Sequence, residues 1–123
     1  MYRVVIADDE PVIRRGLRET IEWDALGLEV AGEAADGNEA LKLVHDIRPE
    51  ILITDIRMPE MDGLELIREV RKLDFSIKIT ILSGYSDYDS LKAAIRLGAK
   101  LGKEYIKAVY CHPAYLTYMQ STS

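Results

Sequence analysis

Charge is missing from the end of this chain: from Ala108 to Ser123 there is no Asp, Glu, Lys or Arg. A closing surface helix should carry a charged face, and this stretch has none. Cysteine is nearly absent as well. The single Cys111 excludes an internal disulfide and fits a reducing compartment. No apolar run reaches the length needed to span a bilayer. The N-terminus opens on Tyr2-Arg3-Val4-Val5-Ile6, without the apolar core and cleavage site of a signal peptide, so a cytoplasmic location and no membrane partner are expected. The G-x-x-x-x-G-K-[ST] pattern does not occur, which excludes a P-loop enzyme. Basic excess is also lacking. Lys and Arg number 16 against 21 Asp and Glu, and a net charge of −5 is a poor balance for direct nucleic-acid binding.

What is present fits one globular domain. At 123 residues the chain is too short for two domains, yet long enough to bury a core. Hydrophobic residues make up 48% and charged ones 30%, which argues against a disordered segment. The β-branched run Val4-Val5-Ile6-Ala7 reads as a central strand. Pro11 then suits the first turn of a helix carrying Ile13, Leu17 and Ile21 to about Glu22. Trp23-Asp24-Ala25-Leu26-Gly27 reads as a turn. Residues 28–34 alternate with Glu29 and Glu33, as an edge strand does. Asp36 and Glu39 resemble a capping box for a helix with Ala40, Leu41, Val44 and Ile47, which Pro49 stops. Ile51–Thr54 reads as a strand buried on both faces. Asp62 and Glu65 cap the next helix, with Leu66, Ile67 and Val70. Residues 77–82 form a fourth strand. Ser86 and Asp89 cap a helix closed by Gly98. Residues 99–103 read as a loop, with a fifth strand expected over 104–110. The alternation predicts an α/β fold, a doubly wound parallel five-stranded sheet with right-handed crossovers.

The chemistry gathers at strand ends. Asp8 and Asp9 follow the first strand, Asp55 the third and Ser83 the fourth, and ligands bind at that rim of an open α/β sheet. Three carboxylates there would repel unless a cation joined them. Oxygen-only ligands favour Mg²⁺. With a phosphoryl oxygen completing its shell, Asp55 could attack phosphorus in line. Ser83 would donate a hydrogen bond to a second phosphoryl oxygen, and a cation from the fifth strand would serve a third. Plainer roles compete: acids at strand–helix junctions cap helices, and Ser83 is otherwise a turn serine. Capping accounts poorly for Asp55, because Pro59 and Asp62 separate it from the next helix. His45 reads as a solvated surface residue, and Cys111 with His112 falls short of a metal site.

Three motifs stand in one order: Ala7-Asp8-Asp9-Glu10, then Thr54-Asp55-Ile56-Arg57-Met58-Pro59-Glu60-Met61-Asp62-Gly63, then Ile81-Leu82-Ser83-Gly84-Tyr85. From about Tyr2 to Ala99 the chain resembles the receiver domain of a bacterial two-component response regulator, with a CheY-like sheet order 2-1-3-4-5. Residues 23–37 further resemble the YesN-like branch, whose receivers usually precede an AraC-type helix-turn-helix domain. The resemblance implies that Asp55 is the phosphoacceptor. Asp9 would be a direct Mg²⁺ ligand, Asp8 a ligand partly through water, and Arg57 a ligand through its backbone carbonyl. Ser83 would be the switch hydroxyl, while Arg57 and Tyr85 would influence hydrolysis of the acyl phosphate. The implied donor is a sensor histidine kinase or a small acyl phosphate. No turnover of a separate substrate is expected beyond self-phosphorylation and slow dephosphorylation. A homodimer is a further expected partner, and DNA only through an output domain that this chain lacks.

The same family carries a Lys-Pro pair at the end of its fifth strand, and this chain has none. Lys107 is the first candidate for that lysine and Lys103 the second, with surface roles open for both. Tyr105 would be the switch aromatic or a core residue. The expected division is a receiver over 1–107 and an atypical segment over 108–123, either the last helix of the receiver or a tail foreign to the family; an apolar patch for a partner is the further explanation of its missing charge. Two other functions compete. A pseudo-receiver would keep the fold as a constitutive binding or dimerisation module, which the missing Lys-Pro favours. A phosphohydrolase with an Asp nucleophile would place a second acid two residues on, where Arg57 stands.

Overall fold

The computed structural model describes residues 1–82 and 88–101. In chain order these form β1 (Tyr2–Ala7), α1 (Pro11–Thr20), a 3-10 turn (Asp24–Leu26), β2 (Leu28–Ala34), α2 (Gly37–Ile47), β3 (Ile51–Thr54), α3 (Gly63–Leu73), β4 (Lys78–Ile81), α4 (Tyr88–Arg96) and β5 (Lys100–Leu101). All strand pairs are parallel, in the order β2-β1-β3-β4-β5. The expected α/β sheet and its order are therefore present, and β2 is the edge strand its alternation predicted.

The unbroken apolar runs have a simple cause. Successive side chains of a strand point to opposite faces, and here both faces are covered. Val4 and Ile6 of β1 pack with Ile53 and Leu82 against Leu17 and Ile21, on the face covered by α1. Val5 and Ala7 pack with Leu52, Ile79 and Ile81 against Val44, Leu66, Ile67 and Ala94, on the face covered by α2, α3 and α4.

Local signals set the helix ends. Asp36 accepts a hydrogen bond from the Glu39 N–H at 2.8 Å, and Asp62 from the Glu65 N–H at 2.9 Å. Pro11 opens α1, and Gly98 takes the left-handed conformation (φ 88°) after α4. The helix ahead of Pro49 ends at Ile47, with Arg48 in the left-handed region (φ 52°) donating its N–H to the Val44 carbonyl.

One expectation is corrected. Residues 99–103 read as a loop, but Lys100 and Leu101 pair with Thr80 and Ile81 and begin the fifth strand. Both side chains are exposed, so backbone pairing alone places them in the sheet and no buried apolar pattern announces it. The strand expected over 104–110 lies outside the described residues.

Candidate functional site

Three ladder bonds carry the sheet one step past its strands. The Asp8 N–H donates to the Ala34 carbonyl (3.0 Å), the Asp55 N–H to the Ala7 carbonyl (3.0 Å) and the Leu82 N–H to the Thr54 carbonyl (2.9 Å). These bonds align the ends of β1, β3 and β4 on one rim. Asp8, Asp9 and Asp55 each bring a carboxylate oxygen there, all within 4.8 Å of one another.

Each acid is held differently. Asp8 is 3% exposed, and its Oδ1 accepts from the Glu10 N–H at 2.8 Å. Glu10, not Asp8 or Asp9, occupies the N-cap of α1, and its side chain makes no capping bond. The capping alternative therefore does not describe Asp8, whose bond closes a local turn. Asp9 is exposed. Asp55 is half-buried, and its Oδ1 accepts from the Ile56 N–H at 2.7 Å. The Arg57 N–H also stabilises the Asp55 carboxylate.

The backbone behind Asp55 is tightly fitted. Thr54 is fully buried, and its hydroxyl donates to the Asp55 carbonyl at 2.9 Å. The Gly63 N–H donates to the Ile56 carbonyl at 2.6 Å. A Cβ at position 63 would collide with the Asp55 carbonyl, so the glycine is required by the close approach of α3 to the end of β3. Glu60, in the loop between them, is in the left-handed region (φ 68°).

Crowding and burial perturb the acids. Burial pushes the Asp8 carboxyl up to about 6, against the pull of the Glu10 N–H, and the charges of Asp55, Asp9 and Glu10 push it the same way. Asp55 is raised as well, first by burial and then by Asp9 and Glu10, with the Ile56 and Arg57 N–H groups opposing. Carboxylates that resist ionisation together, with only oxygen to offer, are the donor set of a hard divalent cation. The residues therefore fit Mg²⁺. An open cleft of about 550 Å³ adjoins the cluster, lined by Asp9, Arg57, Met58, Pro59, Asp62 and Ser90.

Of the site residues expected from sequence, the structure brings Asp8, Asp9 and Asp55 together and puts Arg57 at the cleft. Ser83, Tyr85, Lys103, Tyr105, Lys107, Cys111 and His112 lie outside the described residues. Two contributors were missed. Gly63 is legible only once its approach to Asp55 is known. Arg14 donates to the Asp8 carbonyl, yet in sequence it is one of several arginines on α1. Its only mark there is the four-residue spacing to Arg18, which sets both beside the apolar stripe.

Comparison with known proteins matches residues 4–103 to the response regulator receiver domain. Among curated proteins, the chain is similar to the uncharacterized transcriptional regulatory protein YesN of Bacillus subtilis, 41% identical over 81% of this chain and 27% of that protein. It thus spans about a quarter of that relative's length. Among solved structures it is similar to the REC domain of AraT, a response regulator from Geobacillus stearothermophilus. That similarity has 35% identity and a TM-score of 0.77, covering 97% of this chain and 98% of the other. It is also similar to a chain of the CheX–CheY–BeF3–Mg²⁺ complex from Borrelia burgdorferi, at 25% identity and a TM-score of 0.70, over 81% of this chain and 76% of that one.

Proposed function

The chain belongs to the response regulator receiver domain family, and from that premise we propose that it accepts a phosphoryl group on Asp55 from a sensor histidine kinase, with Mg²⁺, and so controls an output domain. The observation that carries this reading is the convergence of Asp8, Asp9 and Asp55 within 4.8 Å at the rim of the sheet.

Asp9 and Asp55, with Asp8 acting in part through water, would hold the ion, and the Arg57 backbone carbonyl would complete the protein ligands. When bound, Mg²⁺ neutralises the carboxylates and the charge developing on the phosphoryl oxygens. The chain's own residues do the rest. The Ile56 and Arg57 N–H groups orient the Asp55 carboxylate and favour its ionised form. An Asp55 oxygen then forms a bond to phosphorus as the donor's bond to phosphorus breaks. The donor leaves with that electron pair, from phosphohistidine or from a small acyl phosphate. Ser83 would bind one phosphoryl oxygen and Lys107, or Lys103, another. The added charge of about −1.5 to −2 would shift a pre-existing equilibrium of the face presented to the output domain. The transcriptional name of the YesN relative supports a DNA-binding output, and a homodimer is the further expected assembly.

Intact-mass spectrometry after incubation with Mg²⁺ and acetyl phosphate tests the reading. A phosphoryl adduct is expected on the native chain and not on Asp55→Asn. A second reading has an observation in its favour. The sequence lacks Lys-Pro, and a pseudo-receiver acting as a binding or dimerisation module would form no adduct in this experiment.

A further inference from the structure

Asp8 and Asp9 share one peptide group, which is planar, so whatever fixes the Asp8 carbonyl also fixes the plane between the two side chains. The Asp8 N–H is already bonded to Ala34 in β2. The Asp8 carbonyl lies one residue past β1, beyond the sheet ladder, where a partly buried acceptor needs a donor. That donor is Arg14 on α1, whose Nη1 lies 2.5 Å from the carbonyl oxygen. Arg14 is itself held. Its Nε lies 3.7 Å from Glu33 Oε1 on β2, and Glu33 Oε2 accepts from Arg18 Nη1 at 2.6 Å. The side chains of Arg14 and Glu33 are 19% and 22% exposed, so this pair is better shielded than an ordinary surface ion pair. A guanidinium suits the task because its planar fork serves two acceptors in fixed directions.

We infer that Arg14 is a positioning residue for the cation site: clamped by Glu33, it sets the Asp8–Asp9 peptide so that both carboxylates face the ion. The inference rests on the proposed metal-dependent phosphorylation and goes beyond it by assigning a residue that never touches the ion. Its sign separates positioning from charge. A guanidinium beside an acidic cluster repels a cation, so by charge alone its removal tightens metal binding. If Arg14 positions the ligands, its removal weakens binding, and loss of such outer partners typically costs about tenfold in affinity.

The test is Mn²⁺ binding to the full chain, read from the loss of the free-ion electron paramagnetic resonance signal, with Mg²⁺ in competition. Arg14→Met is expected to weaken binding about tenfold. Arg14→Lys, which keeps the charge and a single donor without the fork, is expected to recover part of the loss. Arg18→Met makes the same charge change one link away and is expected to stay near the native affinity. If Arg14→Met does not fold, Arg14→Lys decides, since native affinity there overturns the role. Native or tighter binding by folded Arg14→Met also overturns it. Absence of Mn²⁺ binding by the native chain would instead overturn the reading of the site itself, and this inference with it.

Discussion

At the rim of the sheet the Asp8 carboxyl is pushed from 3.8 up to about 6, chiefly by burial, and that shift makes a statement about stability. Between about pH 4 and 6 the folded chain binds more protons at this site than the unfolded chain does. The contribution of this site to stability in metal-free buffer should therefore fall as pH rises through this window, and recover as pH is lowered. The penalty is complete above about pH 6 and is on the order of 2–3 kcal/mol at most. Asp8→Asn keeps an oxygen for the Glu10 N–H and removes the charge. It should melt higher than the native chain at pH 7 without Mg²⁺, and the gain should vanish below about pH 4. Thermal melts across that range check the sign. At this scale the acids were legible because carboxylates close two strands of one parallel sheet, and helix capping does not account for Asp55, which Pro59 and Asp62 separate from the next helix. Arg14 was not legible, since its partner is a backbone carbonyl and carries no side-chain signature.

Arg71, near the C-terminal end of α3, shows how elements are joined away from the site. It is 7% exposed, and its guanidinium donates to the Leu97 carbonyl after α4 (2.5 Å) and to the Ile77 carbonyl before β4 (2.6 Å). It makes longer bonds to the Asp74 and Phe75 carbonyls and stands over the Phe75 ring at 5.4 Å. One side chain thus ties the ends of two helices to the start of a strand. Arg71→Met leaves the Ile77 and Leu97 carbonyls without this donor and should cost about 2–4 kcal/mol. The expected result is a lower denaturant midpoint at unchanged slope, with faster amide exchange around residues 97–99. Helix existence and helix starts were readable from the apolar spacing and from Asp36, Asp62 and Pro11. The start of the fifth strand was not, because Lys100 and Leu101 are exposed and join β4 through backbone alone.

For the molecule as a whole, a cation bound only by the folded state is a stabilising ligand. The native chain should melt higher in Mg²⁺ than in EDTA, with about 2.7 kcal/mol added at a free ion concentration one hundredfold above Kd. A melting temperature indifferent to Mg²⁺ would contradict the carboxylate cluster as a cation site. Among the described residues no helix is long and apolar enough to cross a membrane, consistent with the hydropathy of the sequence. By itself the sequence determined the α/β class, the parallel sheet and the meeting of Asp8, Asp9 and Asp55 on one rim. Those follow from periodicity, local capping and the strand ends a parallel sheet brings to one side. Only the tertiary structure decided how each acid is held and buried there, that Gly63 must be bare where α3 meets Asp55, and that Arg14 donates to the carbonyl between Asp8 and Asp9. These depend on register and approach between segments distant in the chain, and packing fixes both.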